Sequence, residues 1–358
     1  PRLTLNLGVR YSLFSRMKER YNHHPGFYPD LYDPALAPQL DENDHLIGGV
    51  EFIQYGNGLV QCGVTEGVPP ACQTSEYRNI APRFGFAWDP WGNGKTAIRG
   101  GAGVFFDTLN GNEAGSEAVS GGPPISYGVS LYNLDSWDEI GPGLLSPASM
   151  NTNPKHAPYP RSYQFSFTVQ RQLTPNDLAS VGYVGNVANF LTRNRSMNVV
   201  PLGLPHADQD NLIDGADPLP YKPFQGFDSI TSIETSSRSN YHSLQADFRH
   251  QVTAGLSFGA TYTWSHMIDY QSDQWEQWSV DEYNLNRWRR NASLDRRQIL
   301  VFNYVYDIPL FKNRTGWIKN AFGGWQVSGI TTFMNGTPIN IGCGLSDYPV
   351  SYTHLRAH

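Results

Sequence analysis

The sequence is poor in charge. Lys, Arg, Asp and Glu make up 16% of its 358 residues, against roughly 25% in ordinary soluble domains. It has no apolar run near the ~18 residues that a membrane-spanning helix needs. It also lacks an excess of positive charge. Its 26 basic and 32 acidic residues give a formal net charge of −6, so no broad basic footprint for nucleic acid is visible. Three cysteines are too few for a disulfide scaffold or for repeated zinc pairs. No Gly-x-Ser-x-Gly elbow occurs, and Glu276, Asp281 and Glu282 lack the spacing of an acid/base pair. No enzymatic activity, cofactor or metal is therefore expected. The sequence starts at Pro1 without Met or signal peptide and reads as a fragment.

Aromatic residues are plentiful at 13%, with 9 Trp, 20 Tyr and 18 Phe, beside 35 Gly and 25 Pro. Mean hydropathy is nevertheless −0.44. Few charges, many aromatics and a polar average fit a β-barrel with one lipid face and one wet face.

The periodicity points the same way. From Leu3 to Leu13 every odd position is apolar and every even one is polar or Gly, the period-two pattern of a strand. The pattern returns in Phe84, Phe86 and Trp88, in Tyr163, Phe165, Phe167 and Val169, and in Leu244, Ala246 and Phe248. It continues from Leu256 to Trp264, in Leu300, Phe302, Tyr304 and Tyr306, and in Trp325, Val327, Thr331 and Phe333. Weaker strands lie near 95–107 and 178–188. This makes about nine strands, each long enough for a tilted crossing of about 9–11 residues. The polar alternates, including Arg10, Arg83, Arg99, Gln164, Gln170, Asp247 and Arg249, are assigned to the lumen.

Short connections, such as Pro90–Gly94, Thr174–Asp177 and Gln251–Gly255, alternate with long polar stretches at about 14–80, 108–161, 189–239 and 269–295. Outer-membrane barrels have short periplasmic turns and long extracellular loops. On that basis the first strand runs outward. Trp88, Trp91, Trp317 and Trp325 are then placed at the periplasmic interface, and Tyr262 and Trp264 toward the outer one.

Several segments resemble the barrel of TonB-dependent receptors, most closely the Oar-like group abundant in Acidobacteria, whose members carry a carboxypeptidase-regulatory-like domain. These are Asn79–Asp89, Gly94–Gly101, Val104–Asp107, Ser162–Leu173, Ser239–Gln245, Tyr262–Ser265 and Gly323–Gly329. The resemblance implies a bacterial outer-membrane transporter, a 22-stranded barrel with an N-terminal plug, energised through the TonB complex. Residues 1–350 would form part of that barrel. The expected form is an all-β, antiparallel, open half-barrel lacking the plug and the remaining strands. Residues 351–358 break the periodicity and resemble adaptor read-through, a non-native tail.

Local motifs are weaker. Gly94-Lys95-Thr96 resembles a phosphate loop, but Asp89 stands where the motif needs Gly, so it reads as a hairpin turn. Asp208, Asp210, Asp214 and Asp217 form a solvated acidic loop or a calcium-holding one. Adjacent His23 and His24 lack the spacing of metal ligands. Cys62 and Cys72 form a disulfide in an oxidising compartment or remain two free thiols; Cys343 has no evident partner. Trp275, Trp278, Tyr283, Trp288 and Arg289 gather aromatics and cations in one long loop. They suit ligand contact by stacking or cation–π attraction, or packing of loops on one another. The ligand is an oligosaccharide, a peptide or a siderophore. An unplugged porin, a surface adhesin and a soluble carbohydrate-binding β-protein are the alternatives. The last requires the apolar faces to pack together.

Overall fold

A computed structural model describes residues 2–41, 45–47, 55–108, 122–125, 136, 146–201, 219–253, 255–273, 281–310, 316 and 323–339. The expected tail at 351–358 and the acidic loop at 208–217 lie outside these residues, as do Trp275, Trp278 and Trp317.

The strands in chain order are β1 (Leu3–Tyr11), β2 (Pro25–Phe27), β3 (Gln39–Leu40), β4 (Leu46–Ile47), β5 (Leu59–Gln61), β6 (Ile80–Trp88), β7 (Thr96–Phe106) and β8 (Ala148–Thr152). They continue as β9 (Arg161–Gln172), β10 (Asp177–Ser196), β11 (Phe227–Thr253), β12 (Leu256–Asp269), β13 (Arg290–Asn291), β14 (Gln298–Asp307) and β15 (Gln326–Met334). One sheet dominates. Its hydrogen-bonded path runs β1-β6-β7-β9-β10-β11-β12-β14-β15, with β8 and β13 attached at the side. The nine-strand path matches the number of period-two segments in the sequence. Each pair along it is antiparallel, and β1 and β15 are open edges, so the barrel is not closed.

Register joins the apolar strips into one face, because directly opposed residues of an antiparallel pair share a side. One row reads Leu5, Phe86, Gly100, Phe167, Tyr183, Leu244 and Trp264 across seven strands. Further along, Tyr262 faces Leu300 and Leu300 faces Phe333. The residues between them form the opposite face. Thr4, Ala87, Arg99, Thr168, Gly182, Gln245 and Thr263 make one of its rows. The apolar strips do not pack on one another. Leu7 is 77% exposed and Val9 74%, which in water would be a severe liability and in lipid is the required arrangement.

The buried core lies elsewhere. Phe27, Leu59, Met150, Phe227 and Ile230 form one cluster; Tyr28, Val60, Cys62, Val68 and Cys72 form another. All of these residues come from stretches read as loops. The stretch at 189–239 is corrected by the structure. β10 runs on to Ser196 and β11 starts already at Phe227, so the hairpin stands well past the lipid-crossing segment. Bulges between Asn189 and Thr192 mark the change, and Phe190 takes a left-handed φ of 59° there.

Candidate functional site: the folded cap and the polar face

The long connections at the outer end of the sheet build a cap with its own core. Lipid cannot bury loops that stand in water, so they must bury one another. β2 pairs with β5, and β8 lies parallel to the outer end of β11, placing Met150 beside Ile230. Thr152 links the two layers by accepting from the Phe27 amide at 2.8 Å. The Phe27 ring meets Phe224 at 4.9 Å and Phe227 at 5.1 Å, both edge-on. Asn198 closes the chain above them, donating to the carbonyls of Phe224 at 3.0 Å and Phe227 at 2.8 Å.

Cys62 and Cys72 are joined in a disulfide, with Cα atoms 4.9 Å apart. A loop this short contributes about 3 kcal/mol through the unfolded chain. A ring nitrogen of buried His24 lies within 4.8 Å of both sulfurs. The sulfurs bond each other, and burial lowers the His24 pKa, so the ring is held neutral. Tyr28 donates its hydroxyl to the Cys72 carbonyl at 2.7 Å, and burial pushes its pKa up to about 12. The unfolded chain therefore loses this proton first as pH rises, and folding stability falls. The Tyr28 contribution to cap stability is expected to be constant up to about pH 10 and to decline between pH 10 and 12. Tyrosinate absorbance tracked against cap unfolding checks this, with Tyr28→Phe shifting the decline upward.

Beside the apolar core sits an ionic one. Arg193 of β10 and Glu234 of β11 are direct register partners. The Arg193 guanidinium is fully buried, 3.6 Å from Glu234 and in close contact with Glu282. It also lies 4.9 Å from the centre of the Trp288 ring. Burial lowers its pKa, and Glu282 and Glu234 oppose that shift. A turn of 3-10 helix at Leu285–Trp288, capped by the Asn284 side chain, delivers Trp288. The Trp288 indole donates to the Asp281 carbonyl at 3.0 Å.

The structure thus separates the residues singled out in this loop. Trp288 is 4% exposed and spent on packing against Arg193. Tyr283 is half-exposed and donates its hydroxyl to the Val199 carbonyl at 2.8 Å. Arg289 is exposed at the surface. Sequence reasoning missed Arg193, Glu234 and Glu282 as a set. The one available signal was opposite charge at Arg193, Arg195 and Glu234 within a stretch read as loop.

The other candidate surface is the polar face of the sheet. Arg10, Arg83, Arg99, Gln164, Gln170, Asp247 and Arg249 all lie on it by register. Arg99 donates to Gln170 at 3.0 Å, Arg249 to Asp247 at 2.9 Å, and Thr261 to the other Asp247 oxygen at 2.9 Å. Arg83 lies over the Phe105 ring at 4.7 Å. Arg10, Arg83, Arg99, Arg249 and Arg290 against Asp247, Asp269 and Asp307 leave the charged strand residues of this wall cationic on balance.

The two faces end at recognisable levels. On the apolar side of β9, Arg161 lies over Phe190 at 4.5 Å and Arg171 over Trp91 at 5.4 Å. These two arginines bracket Tyr163, Phe165, Phe167 and Val169. Ten residues at ~3.3 Å each, tilted ~40°, span about 25 Å of membrane height, the size of a barrel's apolar band.

The sequence matches the family described as outer membrane beta barrel domain over residues 1–357. No curated protein matches by sequence. Among solved structures, the chain is similar to the outer membrane transporter YddB from Escherichia coli, at 14% identity and a TM-score of 0.45. That superposition covers 77% of this chain and 31% of YddB. It is also similar to the FrpB iron transporter from Neisseria meningitidis (F3-3 variant), at 9% identity and a TM-score of 0.36, over 64% of this chain and 24% of that one. For the siderophore receptor PirA from Pseudomonas aeruginosa the values are 10% and 0.30, over 65% and 31%. The chain thus spans less than a third of the length of each. With its nine-strand path, lipid-type face and polar wall, the chain belongs to the outer membrane beta barrel domain family.

Proposed function

We propose that this outer-membrane barrel belongs to a TonB-dependent receptor of the Oar-like type, which captures a ligand at its cap and passes it along the polar wall. The observation that carries the reading is the pairing of an apolar outer face with a wall of arginines and amides, under loops that fold into their own core. An arginine- and amide-lined passage suits a ligand rich in hydroxyl or acidic oxygen atoms, such as an oligosaccharide, an acidic peptide or a siderophore. In this reading Tyr283 and Arg289 meet the ligand at the rim, where Trp288 anchors their loop, and Trp275 and Trp278 are the further ligand-contact residues proposed from the sequence of that loop. The partners are outer-membrane lipid, the TonB complex and the extracellular ligand, and no catalytic step is involved.

Sequencing the source DNA on both sides of the coding region tests this. A plug domain, a TonB box and an N-terminal sandwich domain ahead of β1 are the expected result. A signal peptide directly before β1 would overturn energised transport and favour an unplugged porin or an adhesin.

A further inference from the structure

The apolar face does not stay apolar to its outer end. Above the band, one row across the strands reads Phe106, Arg161, Asn189 and Arg238. It carries two cations and no anion. β9 and β11 flank β10, so the two arginines stand about 10 Å apart on the lipid side. Arg161 Nε has no hydrogen-bond acceptor among the described residues, while its guanidinium plane rests on Phe190. Arg238 is exposed. Just below, the lipid side of β11 and β12 carries Asn240, His242 and His266 rather than apolar residues. His242 meets the Tyr183 hydroxyl at 2.7 Å, and His266 meets Asn291 at 3.0 Å. Arg297, itself paired with Asp295, lies 2.8 Å from His266.

Apolar tails alone give no reason for these groups. Among the described residues, the inner rim offers no equal. There Arg171 lies over Trp91, and His250 is paired with Asp177 at 2.6 Å. A guanidinium laid flat on an aromatic ring at headgroup depth still offers its edge to a phosphate. The Arg161 guanidinium and that of exposed Arg238, with amides and imidazoles beneath them, match a headgroup that carries phosphates on a saccharide. We propose that Arg161 and Arg238, with Asn189, Asn240, His242 and His266, form a binding site on the lipid side for a phosphorylated glycolipid of the outer leaflet. The arginines take the phosphates, and the amides and imidazoles take sugar hydroxyls. The site is independent of what passes through the lumen. It ties the barrel to the outer leaflet at the level where the β10–β11 hairpin leaves the membrane.

The test uses the full chain refolded in detergent micelles and a diphosphorylated, acylated glucosamine disaccharide as probe, with retention read by native mass spectrometry. The parent protein is expected to retain the probe and to lose at least about tenfold in retention when the probe is dephosphorylated. Arg161→Gln with Arg238→Gln should bring the same loss, Arg161→Lys with Arg238→Lys should keep most of the binding, and Arg171→Gln at the inner rim should change nothing. Inorganic phosphate in large excess should fail to displace the glycolipid. Equal retention of the phosphorylated and dephosphorylated probes by the parent would overturn the proposal, a readout that does not depend on any variant folding. Unchanged binding in the double Gln variant would overturn it too, and displacement by inorganic phosphate would reduce the site to a simple anion contact.

Discussion

Replacing Arg193 by Ala is expected to cost the cap about 3–5 kcal/mol, the penalty for removing one partner of a buried ion pair. Glu282 and Glu234, at 6% and 14% side-chain exposure, would lose the buried cation they share, and the Trp288 ring would lose the guanidinium beneath it. The loss should stay local. Arg193 lies on the part of β10 beyond the Asn189 bulge, so amide exchange should quicken at 191–196, 227–237 and 281–291 while β9 below it stays protected. Arg195→Ala is the control. Its side chain is 31% exposed and 3.7 Å from Glu234, so its loss should cost under ~1 kcal/mol. Similar exchange in the two variants would mean that Arg193 does not organise the cap.

The second large effect concerns the two faces of the sheet. Phe167 sits in the middle of the apolar row, opposite Gly100 and Tyr183, and Phe258 sits opposite Tyr304. An arginine at Phe167 must hold its charge in hydrocarbon, at about 2–4 kcal/mol near the midplane, whereas at Phe258, opposite His250 at the inner rim, the cost falls to about 1 kcal/mol. Gln164 and Ser257 lie on the same strands but on the other side of the pleat, opposite Gly103 and Val305. An arginine there enters water and joins a wall that already carries Arg83 and Arg99. Its expected cost is within ~0.5 kcal/mol.

These two predictions rest on regions that differ in how far the sequence reveals them. In the sheet, lipid on one side and water on the other impose strict alternation on each strand. Period two in Tyr163–Val169 or Leu256–Trp264 therefore reports the face directly, and register only had to join the strips. The cap follows another rule. Phe227, Ile230 and Ile233 are its buried apolar residues on β11, three apart, because the parallel pairing with β8 slips between Phe227 and Ile230. That spacing fits neither a regular strand nor a lipid face, so the stretch reads as loop. The residues around Trp288 stand out by composition. Composition does not say whether an aromatic ring is turned to solvent or to a buried guanidinium on another strand, and that depends on Arg193, almost a hundred positions away. The polar residues at the outer end of the apolar face were hidden for a similar reason. Arg161 and Arg238 share a row only through the register of β9, β10 and β11.

The most direct test of the two-faced sheet compares Phe167→Arg, Phe258→Arg, Gln164→Arg and Ser257→Arg by denaturant titration of the barrel refolded in lipid vesicles. A loss of about 2–4 kcal/mol is expected for Phe167→Arg, a smaller loss of about 1 kcal/mol for Phe258→Arg beside the inner rim, and near-parent stability for the other two. Equal costs at all four positions, or larger costs at Gln164 and Ser257, would contradict the two-faced sheet.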